Sequence, residues 1–359
     1  MIELIVSINI DELKLSIISW LELVQFNDAF TFKMSSNAFD NINLDASTLA
    51  YDIYNMIGVN FSEQQKKKAI EFMGSCQNQA DGFFYELNVK EKLKIHPNKR
   101  AVEMSANYLT FQVIGALKVF NALPKYKISF YDKFIENKGI KHYLDNNCSW
   151  VDSPWGSGGM VDNLSTILDC NIRMGYKEYA PILKEVFEWL DENQSSKHGM
   201  WGSIDTQGVN GLINGAYHAM RGTYFLQNRS FKYQENIVDN IIKNIQNYEK
   251  FNGNAEGCHD LDHFFLLQKC SEIVPNYRIQ EIKDIGKERL SEIMKLVYCE
   301  DGAFSFEATK CLYSHAWIDI SNGLKESDML GTLFYLQTII SIYKILNIDI
   351  NLNESRTHG

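Results

Sequence analysis

The chain has 359 residues, of which 45% are hydrophobic and 22% charged, and its formal net charge is −10. Such a chain is an acidic globular protein, long enough to bury a sizeable core in one large domain or two ordinary ones. With no Lys/Arg block beyond Lys66, Lys67 and Lys68, it lacks the basic surface that phosphate binding needs, so nucleic acid is not an expected partner.

The first residues look apolar but carry Glu3, Asp11 and Glu12 with no basic start, which argues against a secretory signal. No run of eighteen or more apolar residues occurs, so the expectation is a cytoplasmic protein without an integral membrane segment. The 7 cysteines are scattered and form no CxxC, which reads as reduced thiols serving as small core residues.

In chain order, residues 11–24 place Leu13, Ile17, Trp20, Leu21 and Val24 at helical spacing, and an Asn-rich link follows. Residues 1–45 are read as an N-terminal cap. Within it, residues 4–8 alone have the branched, apolar character of a short strand.

From residue 46 to 346 one pattern repeats: an amphipathic helix, a turn built from Gly and an aromatic, then a helix richer in small and apolar residues. The turns fall at Gly82 with Phe83 and Phe84, at Trp155 with Gly156, at Gly199 with Trp201, at 253–257, and at Gly302 with Phe304. The helices after them are expected near 103–121, 160–174, 208–227, 258–270 and 328–346, with 46–57 ahead of the first turn making six. The helices before the turns, near 63–76, 180–193, 236–251 and 283–298, alternate apolar stripes with Lys, Glu and Gln, as a helix with one solvated face does.

One series therefore reads as inner and the other as outer. Paired helices with a shielded series hide the ends of the array by closing on themselves. The expected fold is all-α, an (α/α)6 toroid over 46–346 with a short N-terminal cap and a tail at 347–359. Its pocket should lie where the Gly-aromatic turns lead into the inner helices.

The densest chemistry is in residues 252–268, where Cys258, His259, Asp260, Asp262 and His263 fall within six positions at the start of one inner helix. Positions four apart share a face, so Cys258 aligns with Asp262 and His259 with His263. As metal ligands, Cys258 and His259 are candidates for zinc, although position 260 is Asp and HExxH is absent. As acids, Asp260 and Asp262 form a candidate dyad: a carboxyl in an apolar pocket beside a second carboxylate holds its proton toward neutrality, with His263 as a tuning partner. The plainer alternative makes Asp260 a helix cap and His263 a satisfied wall residue.

Other candidates head other inner helices. Asp152 and Asp162 flank the Trp155 turn, Asp205 and Gln207 follow Trp201, and Arg221, one turn beyond Tyr217, can meet an anionic group or pair with an acid. His218 reads as a core residue. Glu256 precedes the cluster, and Glu307, His315, Glu326 and Asp328 gather at the final turn, with Asp328 favoured as the head of an apolar helix. Trp155, Trp201 and Phe304 belong to an aromatic rim that can stabilise carbocations or stack on sugars.

The turns GMWGS and DGAFSF ahead of inner helices resemble those of the α/α-toroid superfamily of terpenoid cyclases and protein prenyltransferases, over about residues 46–346. That resemblance implies a toroid acting on an isoprenoid. Cyclases of that superfamily carry DxDD at the start of an inner helix, and Asp260, Leu261, Asp262 and His263 stand at the matching place, which implies Asp262 as the general acid. The chain departs from the family in having His263 for the last Asp, in lacking DDxxD, and, on this reading, in lacking the Gln of the family's QW repeats. Prenyltransferases imply zinc, held by Asp, Cys and His.

Three functions follow. The first is a cyclase- or prenyltransferase-like enzyme on an isoprenoid, with Asp262 as acid and Mg²⁺ or Zn²⁺ as candidate cofactors. The second is a carbohydrate-active enzyme, a glycoside hydrolase or polysaccharide lyase, using two carboxylates such as Asp262 with Asp328 or Asp152; glycosidases need that pair about 5 to 10 Å apart. The third is a non-catalytic scaffold, in which Asp260, Asp262 and His263 turn into salt bridges. A deep apolar pocket favours the isoprenoid, an open polar cleft the glycan.

Overall fold

A computed structural model describes residues 8–27, 29–38, 44–86, 99–315 and 318–357. The chain is all-α. Its helices are α1 (Ile10–Val24), α2 (Leu44–Met56), α3 (Glu63–Ser75), α4 (Lys99–Val119), α5 (Asp132–Asn147), α6 (Pro154–Arg173), α7 (Tyr179–Asn193), α8 (Ile204–Met220), α9 (Gln234–Asn247), α10 (Gly257–Ile273), α11 (Ile279–Leu296) and α12 (Met329–Leu346). Two small antiparallel hairpins, β1 (Gln25–Asn27) with β2 (Thr31–Phe32) and β3 (Ser314–His315) with β4 (Ile318–Asp319), were not expected from the sequence. The strand expected at 4–8 lies, but for Ile8, outside the described residues.

Odd- and even-numbered helices differ in what they bury. In α9 only Ile237, Val238, Ile241 and Ile242 are buried, and in α11 only Ile282, Gly286, Arg289, Leu290 and Ile293, each a single stripe. In α12 nearly every residue is buried, and in α10 an unbroken run from His259 to Gln268 is. The helix α12 is also long and apolar enough to cross a membrane, but 89% of it is buried inside the protein, as a core helix is. The apolar face of α1 (Leu13, Ile17, Trp20, Leu21 and Val24) enters the same core as the rest of the chain.

The even-numbered helices pack in sequence: α2 on α4, α4 on α6, α6 on α8, α8 on α10 and α10 on α12, and α12 also packs on α2. Odd-numbered helices lie against them, α7 on α6, α9 on α8 and α10, and α11 on α10 and α12. The closest pair, α6 and α8, meets through glycines. A Cβ on Gly158 would collide with the carbonyl of Gly215, and one on Gly215 with the carbonyl of Pro154.

The turns that precede α4, α8 and α12 share one hydrogen-bond scheme. Asn78 N donates to Phe83 O (2.8 Å), Ser195 N to Met200 O (2.9 Å) and Cys299 N to Ala303 O (2.9 Å). Each encloses a glycine with positive φ, namely Gly82 (78°), Gly199 (75°) and Gly302 (100°), a conformation that side chains with a Cβ rarely adopt. The backbone beyond the glycine is then tied to the next helix, Phe84 N to Thr110 Oγ1 (3.0 Å) and Phe304 N to Thr332 Oγ1 (3.2 Å).

Two of these turns are tied by a glutamine. Gln77 Nε2 donates to Gly82 O (2.8 Å) and Tyr126 O (2.8 Å), and Gln194 Nε2 to Gly199 O (2.8 Å) and Lys232 O (3.3 Å). Each glutamine stands five positions ahead of its glycine, and it ties the turn to the segment before the following odd-numbered helix. The residues after α12 are also fastened: Ser355 Oγ (2.5 Å), Arg356 N (2.8 Å) and Thr357 N (3.1 Å) donate to the buried carboxylate of Asp52 in α2.

Candidate functional site

A cavity of about 520 Å³ opens near the N-terminal ends of several even-numbered helices. Its wall is mainly apolar and aromatic: Tyr108 from α4, Trp155 and Met160 from α6, Phe306 and Leu312 from the loop before α12, and Phe334 from α12. Polar groups enter it from Asn107, Asn163, His218, Cys258 and His315, and Glu103 is the one carboxylate among the described lining residues. No described Lys or Arg lines it.

Trp155 stands at the mouth, 38% exposed, with its ring 6.4 Å from that of His218 and 5.9 Å from that of His259. Behind His218 lies an ion pair. Arg221 donates through Nε to Asp162 Oδ2 (2.8 Å) and through Nη2 to the same carboxylate, and Nη2 also meets His218 Nδ1 (3.1 Å). Because His218 Nδ1 accepts from a guanidinium, the neutral ring carries its proton on Nε2. Burial also lowers its pKa, so the ring stays neutral near pH 7. Arg221 is thus engaged in the wall by Asp162 and Tyr217 rather than projecting into the cavity.

The cluster on α10 divides among three directions. Cys258 lines the cavity, and Asp262 lies one turn deeper on the same face, 1% exposed. Burial pushes the Asp262 carboxyl well above the usual carboxylate range; Arg221 opposes this, while Asp162 and Glu256 add to it. Its Oδ2 has no hydrogen-bond partner. The thiol of Cys258 is pushed up by burial and then by Asp262.

Asp260, two positions from Asp262, points to nearly the opposite side of the helix. There it accepts from Arg289 of α11, Nε to Oδ1 at 2.5 Å and Nη2 to Oδ2 at 2.8 Å. This corrects the expected dyad: Asp260 and Asp262 do not share a site.

His263 does not tune Asp262 either. Its Nδ1 donates to His259 O (2.7 Å) and its Nε2 accepts from Asn244 Nδ2 (2.8 Å), with the ring kept neutral by burial. His259 Nδ1 accepts from Asn210 (3.2 Å) and Asn214 (3.0 Å), and its Nε2 lies 3.5 Å from Glu256. Cys258 and His259 therefore face different ways. Among the described residues no three His, Cys, Asp or Glu side chains converge as metal ligands, so the residues expected to hold zinc do not form a donor set.

Three other expected contacts lie away from the cavity. Trp201 is 1% exposed, with Nε1 donating to Leu190 O (2.9 Å) and its ring packed on Trp150. Phe304 is buried against Tyr298 and Tyr335. Asp152 is exposed and accepts from Ser149 Oγ at 2.6 Å.

Asp328 acts on the site indirectly. It caps α12 through Gly331 N (2.7 Å), and its Oδ2 accepts from Phe306 N (2.8 Å) and Leu312 N (3.4 Å), which sets two cavity-lining residues in place. Burial pushes its carboxyl up to about 7. One pair was missed from the sequence: His315 lines the cavity with Nδ1 2.8 Å from Asp45 Oδ2. The partners stand 270 positions apart, and no local spacing signals them.

No family model, curated protein or solved structure matches this chain.

Proposed function

We propose that the chain is an (α/α)6 toroid of the kind shared by terpenoid cyclases and protein prenyltransferases, and that it carries out proton-transfer chemistry on an uncharged, largely apolar substrate of isoprenoid type, with Asp262 as the acid. The toroid reading makes the even-numbered helices the inner wall and the odd-numbered ones, α1 included, the outer. It is supported by the cyclic order in which the even-numbered helices meet and by the glutamine-to-glycine turns at Gln77 and Gln194.

The observation that carries the chemistry is Asp262. Its carboxyl is buried, its proton affinity is raised by desolvation, and it lies one helical turn beneath Cys258 in the cavity wall. Cys258, on the same helix face one turn nearer the N-terminus, lines the cavity and has a small side chain. The aromatic lining presents ring faces to a developing cation, and no Lys or Arg among the described lining residues offers a diphosphate an ion-pairing partner.

The glycan reading fares less well. It needs two carboxylates flanking one bond, whereas among the described residues Glu103 is the one carboxylate lining the cavity, Asp328 caps a helix and Asp152 is at the surface. The scaffold reading accounts for the pairing of Asp260 and His263 but not for Asp262, whose Oδ2 is buried without a partner.

Thermal-shift titration with farnesol, farnesyl diphosphate and neutral oligosaccharides tests the proposal. Farnesol at a hundred times its Kd should add about 2.7 kcal/mol of stability. Cys258→Phe and Leu330→Trp, each filling the cavity, should abolish that shift. A shift with oligosaccharides and none with farnesol would overturn the reading.

A further inference from the structure

We infer that His315, oriented by Asp45, is a general base for molecules held in this cavity; the inference rests on the cavity being the reaction site. Asp45 lies in the first turn of α2, 3% exposed, and its own N–H donates to Glu86 Oε1 at 2.8 Å. Its Oδ2 meets His315 Nδ1 at 2.8 Å, and its Oδ1 has no other partner. A carboxylate only accepts, so Nδ1 of the neutral ring carries the proton and the lone pair of Nε2 is left.

Two further contacts hold the ring in place. The hairpin of β3 and β4 sets His315 opposite Ile318, and the ring of Tyr108 meets the imidazole at right angles, with centroids 4.5 Å apart. The side chain of His315 keeps 19% of its surface accessible, and both it and Tyr108 line the cavity. A carboxylate behind an imidazole at the wall of an apolar chamber orients the ring and stabilises the imidazolium that forms when Nε2 takes a proton.

The step balances without a further reagent. Asp262 gives its proton to one carbon of a substrate double bond, whose π pair forms the new C–H bond, and a cation is left on the neighbouring carbon. His315 Nε2 takes a proton from a carbon beside a cationic centre, and that C–H pair becomes a new double bond. Water receives the proton from the imidazolium and returns one to Asp262, so substrate and product are isomers.

The test is carbethoxylation of the full chain by diethyl pyrocarbonate, followed residue by residue by mass spectrometry. His142, exposed on α5, is the internal control. His315 should react in the wild type, several-fold more slowly in Asp45→Asn, and more slowly again with farnesol present, while His142 is unaffected. Asp45→Ser, which also removes the carboxylate and still suits a helix start, serves if Asp45→Asn fails to fold.

A rate at His315 that loss of the Asp45 carboxylate does not change overturns the proposal. So does reactivity that farnesol leaves untouched at concentrations where it raises Tm. If farnesol gives no thermal shift at all, the substrate reading falls, while the Asp45 comparison still decides the dyad.

Discussion

Replacing Asp260 by Asn separates the two acids of α10 by experiment. Asp260 is fully buried, and Arg289, whose side chain is 3% exposed, binds it through both Nε and Nη2. The substitution removes the charge and leaves a buried guanidinium whose other carboxylate partner, Glu292 at 2.6 Å, is 30% exposed. Breaking a buried ion pair from one side costs about 3–5 kcal/mol. Because Glu292 stays, the loss should fall near the lower end of that range. At roughly 2 °C per kcal/mol for a chain of this size, Tm should drop by about 6 °C or somewhat more.

Urea denaturation at constant m-value would give the loss directly, beside a calorimetric Tm. Replacing both partners, as Asp260→Leu with Arg289→Met, should recover most of the stability, because an apolar pair of similar volume is often no worse than a buried ion pair. A loss below about 1 kcal/mol would refute the reasoning. A variant as stable as the wild type but without catalytic turnover would return Asp260 to the chemistry.

Asp262 should behave in the opposite way. Its folded pKa is raised, so the folded chain keeps a proton that the unfolded chain gives up above its ordinary value of 3.8. The stabilising contribution is complete below that pH and is lost as pH rises. The Tm of wild type relative to Asp262→Asn, which does not titrate there, should therefore fall steadily from about pH 4 toward neutrality; a difference independent of pH would contradict the buried acid. At the contact of α6 and α8, Gly158→Ala pushes a methyl group into the Gly215 carbonyl and should cost about 1–3 kcal/mol. The adjacent Gly159→Ala meets nothing within 4 Å and should leave Tm unchanged or slightly raised, so equal effects would refute the close approach.

The helical repeat was legible because its signals are local. A glycine at positive φ, an aromatic after it and a 3.6-residue stripe before it each occur within one turn or one helix, and these positioned most helices to within a few residues. The helix α5 has no such local signal: Gly139 at φ 79° breaks its geometry midway, and its charges fall on no single face. Both hairpins are too short for a period-2 pattern to show. Gln77 and Gln194 give no local signal, because each stands five positions ahead of its glycine and bonds to a carbonyl 38 or more positions further on.

The site was less legible for a geometric reason. Residues close in sequence on α10 diverge in space, at about 100° per position, so the density of ligands in 258–263 signalled richness without convergence. Asp260 leaves toward α11, His263 toward α9, and only Cys258 and Asp262 turn toward the cavity side. In an array of packed helices, chemistry gathers across neighbours at one depth. Cys258 from α10, His218 from α8, Tyr108 from α4, and His315 with Asp45 come from segments far apart in the chain, yet all reach or support one chamber. Asp262 was accessible from sequence because the helix period names its face; the pairing of His315 with Asp45 was not, because only the return of α12 to α2 brings the loop before α12 to the start of α2.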